Sequence, residues 1–478
     1  MNCEEGVGGC AFDSAEKPYL SRENVSLSVL YKEDYILTYQ QQYANIYFLR
    51  LVHIRPKIVH QAQMRWNDMV IKKWKVKRAS RLLDVTHGEI YWIVGTVYID
   101  TPLKPNILND LKKDYWTVTP VNEKYIDSAN NRVILEDEYG RIRLVGPKIS
   151  QEFLVTGCVI GVLGFEVQDG NFEVIDICLP ELPHQISLKN KIDPATHKYV
   201  ALVSGLNITD KAYNSLPLFL LSEYLNGGIG HERDRIVSSQ IVQFIIAGNS
   251  IASKTNASTD KKVNSTQCLV ISDIFSQKTY HYNTFLYNSK PAEMFDLFLS
   301  NICTTTSVVL MPGESDPSNA LLPQQPIHFS FIPNSKNYSG STLTTCTNPA
   351  WLEIDGVKFL GSSGQTINDI YKYTNDYDKL SIMEYTLRWQ HCAPTAPDTL
   401  WCYPFSEKDP FVLSEAPHVY FVGNQEEFGT KFIKGENGQM IRLIMLPIFS
   451  KTGTVVLLNL STLECEQMKF NIYDKDNI

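Results

Sequence analysis

No Cys-x-x-Cys pair occurs among the ten cysteines of this chain. Zinc ribbons and thiol redox centres are built on that spacing. Cys3, Cys10, Cys158, Cys178, Cys268, Cys303, Cys346, Cys392, Cys402 and Cys465, several inside apolar runs, therefore read as reduced, mostly buried thiols of an intracellular protein. No apolar run approaches the roughly 18 to 20 residues that a membrane-spanning helix needs. The opening stretch MNCEEGVGGCAFDSAEKPYL has acids where a signal peptide has bases, and it lacks an apolar core. Positive charge is also short: 44 Lys and Arg against 52 Asp and Glu give a net charge of −8, which excludes a surface that grips nucleic acid all over. The expectation is a nuclear or cytosolic protein in which any nucleic-acid contact is local.

What the chain does have is length and core: 478 residues, 44% hydrophobic, suit two or three domains. Residues 1–34 lack apolar periodicity and read as a mobile leader. Residues 35–87 form a helical N-terminal segment, with Tyr43, Ile46, Tyr47, Leu51 and Ile54 at helical spacing and Pro56 expected to break or kink the helix. The run IKKWKVKRASR follows, with Lys72, Lys73, Lys75, Lys77, Arg78 and Arg81 around Trp74. It reads first as a solvated connection and second as an import signal or phosphate-binding strip.

From residue 88 to 190 the period becomes two, in GEIYWIVGTVYID, NRVILEDEYGRIRLVG, FLVTGCVIGVLGFEVQ and GNFEVIDICLPEL. Hairpin-spaced strands over about 100 residues predict a small closed barrel such as an OB-fold. Its central Glu136, Asp137 and Glu138 favour a protein-binding barrel over a DNA-binding one.

From residue 198 to 478 strands alternate with helices, in HKYVALVSGLN, LPLFLLSEYLNG, SSQIVQFIIAGNS, AEMFDLFLSNIC and SVVLMPGESD. That order predicts a helix-flanked sheet whose strand-end loops share one edge. Beyond residue 350, WLEIDGVKFLGSSGQ, HVYFVGN, GQMIRLIMLP and TGTVVLLNL predict a second sheet packed on the first. The loop after SVVLM is the informative one. Two-metal phosphoesterases close such a strand with Gly-Asn-His-Asp, because carboxylates and imidazoles must hold two cations and a bridging hydroxide. Here the residues are Gly313, Glu314, Ser315 and Asp316.

Taken in order, LVSGLN, IIAGNS, MPGESDPSN with LPQQP, FLGSSGQTINDIYKY, LRWQHCAPTAPDTLWCYPF and HVYFVGN resemble the small (B) subunits of replicative DNA polymerases, most closely the polymerase delta branch, from about Tyr35 onward. The resemblance implies an α+β multidomain chain: an OB-fold beside a calcineurin-like metallophosphoesterase sandwich, inactive in eukaryotes and kept as a nuclease in archaeal relatives. Carried over by residue, Gly205, Leu206 and Asn207 stand where active relatives have Asp-x-His, and Gly248 with Asn249 replaces Gly-Asp. Glu314 and Ser315 replace Asn-His, Asp316 keeps its type, and His391 matches a ligand by type. Gly423, Asn424, Gln425 and Glu426 replace the terminal Gly-His-x-His. The implied site is empty of metal and catalysis, with no cofactor. His328 and His418 read as packing histidines, GIGHER with His231 lies outside the ligand slot, and GSSGQ reads as a tight turn, not a nucleophile elbow.

The resemblance implies a nuclear scaffold in DNA replication and repair. It would bind the Cys-rich C-terminal module of the polymerase delta catalytic subunit and a third subunit, and reach the sliding clamp through the holoenzyme. Two other classes stay open: a phosphoesterase with variant ligands, and a single-stranded-DNA-binding OB protein.

Overall fold

The computed structural model describes residues 22, 25–29, 42–67, 69–71, 74–104, 123–127, 131–188, 198–209, 215–252 and 289–470. Most of the expected leader, Cys3, Cys10, Cys268, Lys72 and Lys73 lie outside them. A first strand, β1 (Leu27–Val29), falls within the expected leader, so residues 1–34 are not all without structure: β1 pairs antiparallel with a strand some 320 residues later.

Helix α1 (Ala44–Trp66) forms because Ile46, Leu51, Ile54, Ile58, Ala62 and Trp66 recur on one side and are buried. Pro56 does not break it, contrary to the sequence expectation. Proline removes one N–H and frees the carbonyl four residues back. Here both Pro56 and Val52 are exposed, where water can serve that carbonyl, while the buried stripe holds the helix. The basic run is not a bare connection either. Strands β2 (Val70–Ile71) and β3 (Trp74–Lys75) make a small antiparallel hairpin, and β4 (Lys77–Arg78) joins the barrel sheet ahead of residue 88.

The barrel comprises β4, β5 (Ile90–Asp100), β6 (Arg132–Glu136), β7 (Arg141–Val145), β8 (Val159–Glu166) and β9 (Phe172–Cys178), with a short helix α2 (Pro147–Gln151). Their order is β4-β5-β6-β7-β9-β8, and β5 also pairs with β8 to close the ring. The length of β5 permits this: Ile90 to Thr96 pairs with β8, and Thr96 to Asp100 with β6. Gly95 stands at the changeover, where a Cβ would lie 2.6 Å from the Glu136 carbonyl oxygen. This is the OB-type barrel that the alternation predicted.

The C-terminal region contains β10 (Tyr199–Val203), α3 (Ser215–Leu225), α4 (Glu232–Ser239), β11 (Ile241–Ala247), α5 (Lys290–Cys303), β12 (Val308–Met311), β13 (Leu343–Thr345), β14 (Ala350–Ile354), β15 (Val357–Ser362), α6 (Gln365–Tyr371), α7 (Lys379–Arg388), β16 (Val419–Gln425), β17 (Gly429–Lys434), β18 (Met440–Pro447), α8 (Phe449–Thr452), β19 (Thr454–Asn459) and β20 (Cys465–Lys469). They build two six-stranded sheets, β13-β12-β11-β10-β19-β20 and β1-β14-β15-β16-β18-β17. Apolar inner faces meet between them: Leu202, Ile245, Val309 and Met311 from one sheet, Leu352, Phe359, Phe421 and Ile444 from the other. Helices α3 and α5 cover the first sheet, and α6 and α7 the second. One sequence expectation needs correction. TGTVVLLNL does not extend the second sheet but crosses back as β19 between β10 and β20, because every residue of Thr454–Asn459 is buried and an interior position is what such a strand requires.

The barrel and the sandwich share one hydrophobic core. At the junction Phe153 stacks on Tyr377 with centroids 4.7 Å apart and meets Tyr385 and Trp389. Among the described residues no helix is long and apolar enough to cross a membrane.

Candidate functional site at the strand-end loops

Strands β10, β11 and β12 run parallel, as do β15 and β16 in the facing sheet, so their C-terminal loops gather at one edge of the sandwich. The backbone there is unusual. Gly205, Asn207, Gly248, Asn249, Gly364 and Asn424 all have positive φ, at 64, 45, 80, 54, 114 and 57 degrees. Glycine and asparagine are the residue types that tolerate this conformation, and its clustering marks a strained strand-end site.

Neutral hydrogen bonds hold these loops together. The N–H groups of Gly205, Asn207 and Ile208 donate to the carbonyls of Gly248, Asn249 and Ser250 at 3.0, 3.0 and 2.9 Å. Asn249 Oδ1 accepts from the Ser315 N–H at 3.1 Å, and Ser315 Oγ donates to the Ile251 carbonyl at 2.6 Å. Asn207 Nδ2 donates to Ser450 Oγ at 3.0 Å. Asn424 Nδ2 donates to the Ser363 carbonyl at 2.7 Å, and its N–H to Ser204 Oγ at 2.9 Å. The loops also touch closely: a Cβ on Gly313 would stand 2.3 Å from Asn249 Oδ1, and one on Gly248 would stand 2.8 Å from the Gly313 Cα.

A second amide cluster, absent from the sequence reading, backs the first. Asn348 Nδ2 reaches Gln324 Oε1, Ser363 Oγ and Gln365 Oε1 at 2.8, 2.8 and 2.9 Å, and Gln324 Nε2 donates to the Gly313 carbonyl at 3.1 Å. Its only sequence signal is the polar character of LPQQP and GSSGQ between apolar strands. The latter makes the expected tight turn at Gly364, the N-cap of α6.

The three carboxylates expected at this site fall into two settings. Asp316 is buried; its Oδ1 accepts from the N–H groups of Ser250 and Ile251 at 2.8 and 3.0 Å, and its Oδ2 from that of Gly313 at 2.9 Å. Burial pushes its pKa up to about 6 against the opposing pull of those donors. Glu314 and Glu426 are exposed at the rim. Among the described residues no group of three or more His, Cys, Asp or Glu is placed to hold a metal ion.

His391 is not brought to these loops, which corrects its placement among the site positions. It lies at the domain junction, fully buried. Its Nδ1 accepts from the Ala393 N–H at 3.2 Å, so Nε2 carries the proton and donates to Asp409 Oδ2 at 2.9 Å. The same carboxylate oxygen accepts from Arg50 Nε at 2.9 Å, and Arg50 also donates to the carbonyls of Gly157, Pro394 and Ala396 at 3.0, 2.8 and 2.7 Å. Arg50 comes from α1 and Gly157 from the barrel, so this cluster clasps three parts of the chain. The helix that precedes His391 delivers it to the junction, which spacing alone did not reveal. His418 has a packing role, as expected, with its ring nitrogens on the Lys358 N–H and the Ile186 carbonyl.

A family model for the B subunits of DNA polymerases alpha and epsilon matches residues 200–430, and one described as DNA polymerase delta subunit OB-fold domain matches residues 42–177. The chain is 39% identical to a DNA polymerase delta small subunit of Arabidopsis thaliana over 90% of its own length and 91% of the relative's. It is 37% identical to that of Oryza sativa, over 90% and 93%, and 36% identical to that of Saccharomyces cerevisiae, over 91% and 90%.

Proposed function

The chain belongs to the DNA polymerase delta small-subunit family, accessory subunits of a DNA polymerase, and from that premise we propose that it is a non-catalytic nuclear scaffold of the holoenzyme in replication and repair. In this reading it joins the Cys-rich C-terminal module of the catalytic subunit to a third subunit, and reaches the sliding clamp only through them. One observation carries it: at the edge where a calcineurin-like phosphoesterase would gather carboxylates and imidazoles, Gly205, Asn207, Asn249, Ser315 and Asn424 bond to one another and to backbone. The one buried carboxylate there, Asp316, is taken up by backbone amides. In this reading the described residues of that edge offer no ligand set for a metal-activated hydroxide.

The surface supports two docking areas. Phe48 and Val52 are exposed on α1. Leu216 and Phe219 of α3 and Leu297 of α5 are exposed on helices tied side by side by the Asn301–Ser222 bond. Permanent subunit interfaces usually bury on the order of 2,000 Å² and are richer in apolar groups than ordinary surface. The test is co-expression with both partner subunits. A stoichiometric complex is expected, with Phe219→Asp plus Leu297→Asp and Phe48→Asp each releasing one partner, and with no stoichiometric Mn, Fe or Zn or phosphodiester hydrolysis in the free chain. Hydrolysis that survives repurification and disappears in Glu314→Ala overturns the reading.

A further inference from the structure

The β2–β3 hairpin and the strand after it form a feature that the scaffold reading does not use. Trp74 is 53% exposed, and its flanking Met69 and Val70 are 41% and 63% exposed. An indole left in water at a hairpin forfeits the burial that would stabilise it, and exposed apolar groups in cluster mark contact sites. The cross-strand pairs set Trp74 with Ile71 on one face of the ribbon and Lys75 with Val70 on the other, so the lysine would reach past the strand edge to a phosphate beside a base stacked on the indole. Lys75 and Arg78 follow within four residues. Glu89 is engaged by Lys77 Nζ at 2.6 Å, while among the described residues neither Lys75 nor Arg78 pairs with a carboxylate. Arg78 instead lies over the Trp92 ring at 5.3 Å. In a chain of net charge −8, two cations thus stand within four residues of an exposed indole.

We propose that this hairpin is a single-stranded nucleic acid contact, in which one unpaired base stacks on Trp74 while Lys75 and Arg78 meet neighbouring phosphates. The chemistry selects this partner. A lone flat ring with cations beside it suits a base that is free of its complement. A duplex hides its base faces, and an acidic peptide would use the cations but not the indole. The site lies at β3 and at β4, the edge strand beside β5, and not at the turn Glu136 to Glu138, whose acids meet Arg141, the Leu82 N–H and Arg55.

The experiment is fluorescence anisotropy of a fluorescein-labelled oligothymidylate titrated with the full chain at low and at near-physiological salt. Binding is expected at low salt, with a logarithmic salt slope of about 1.4 for two phosphates on a single strand. Trp74→Ala should weaken it about tenfold or more and Trp74→Phe should restore most of it, by the usual worth of one stacked base. Lys75→Ala should roughly halve the salt slope. Trp74 and Lys75 are exposed, so neither change removes core. Affinity unchanged by Trp74→Ala, equal binding of a duplex, or competition by a glutamate-rich peptide that Trp74→Ala does not affect would each overturn the proposal, and none of these would bear on the scaffold reading.

Discussion

Asp316 in the strand-end loops and Asp409 at the domain junction are both buried aspartates, yet their surroundings shift their acidity in opposite directions. Asp316 meets only neutral backbone donors, and burial outweighs them, so its pKa rises to about 6. Burial pushes on Asp409 as well, but facing His391 and the Arg50 guanidinium hold it well below the usual carboxylate range. The difference teaches where this fold retains charge. At the junction a permanent cation is buried with the carboxylate. At the sheet edge, among the described residues, no cation meets Asp316, and backbone amides, asparagines and glycines surround it.

The comparison can be broken in three ways. The largest effect belongs to Asp409→Ala, which strands Arg50 in the core without a counter-charge and should cost about 3–5 kcal/mol in denaturant unfolding. A combined Arg50→Met and Asp409→Leu chain removes both buried charges but should recover little of that loss, since it leaves the carbonyls of Gly157, Pro394 and Ala396 and the His391 Nε2 proton without partners. Asp316→Ala comes next. It leaves three backbone N–H groups without an acceptor, at about 2–3 kcal/mol, and Asp316→Asn, which keeps one acceptor oxygen, should cost less. Equal losses for Asp316→Ala and Asp409→Ala would erase the distinction drawn here.

The smallest and most diagnostic effect is in pH. Burial and the adjacent Arg50 charge lower the His391 pKa from 6.5 to about 4. As pH falls from 6.5 to 4, the unfolded chain therefore takes a proton that the folded chain refuses, and stability is lost. Asp316 works the other way: with its pKa raised from 3.8 to about 6, its contribution is complete below 3.8 and lost as pH rises through 6. Each linkage is on the order of 3 kcal/mol, and because the two windows overlap with opposite sign the net change in the unaltered chain is small. Melting temperatures measured from pH 7 to 4 should thus fall more steeply in Asp316→Asn than in the unaltered chain. Parallel curves would show that Asp316 does not titrate in that window.

Much of this was legible in the sequence, because strands and helices with strong periodicity carry their own signal. Val308–Met311 and Ile241–Ala247 were readable as buried strands, and the Gly and Asn residues after them as loop ends. The partners of those loops were not readable. Asn348 and Gln365 meet Gln324, and Ser363 meets Asn348, only because the fold brings three separate stretches together. Arg50 was hidden for a related reason: inside YFLRLVHI it looks like a surface cation on an amphipathic helix, and nothing local shows that its acceptors arrive from Gly157, Pro394, Ala396 and Asp409. Pro56 misled because proline's effect depends on which side of the helix it occupies.

The clasp also sets a schedule for biosynthesis. Arg50 and Asp409 are 359 residues apart in the chain. A ribosome adding about 5–20 residues per second delivers the aspartate roughly 20–70 s after the arginine. During that interval the nascent helix and barrel carry a guanidinium whose eventual place is in the core but whose counter-ion has not yet been made. The N-terminal half therefore cannot close over Arg50 until nearly the whole polypeptide has emerged, and translation that stops short of residue 409 leaves a barrel that cannot complete its seam.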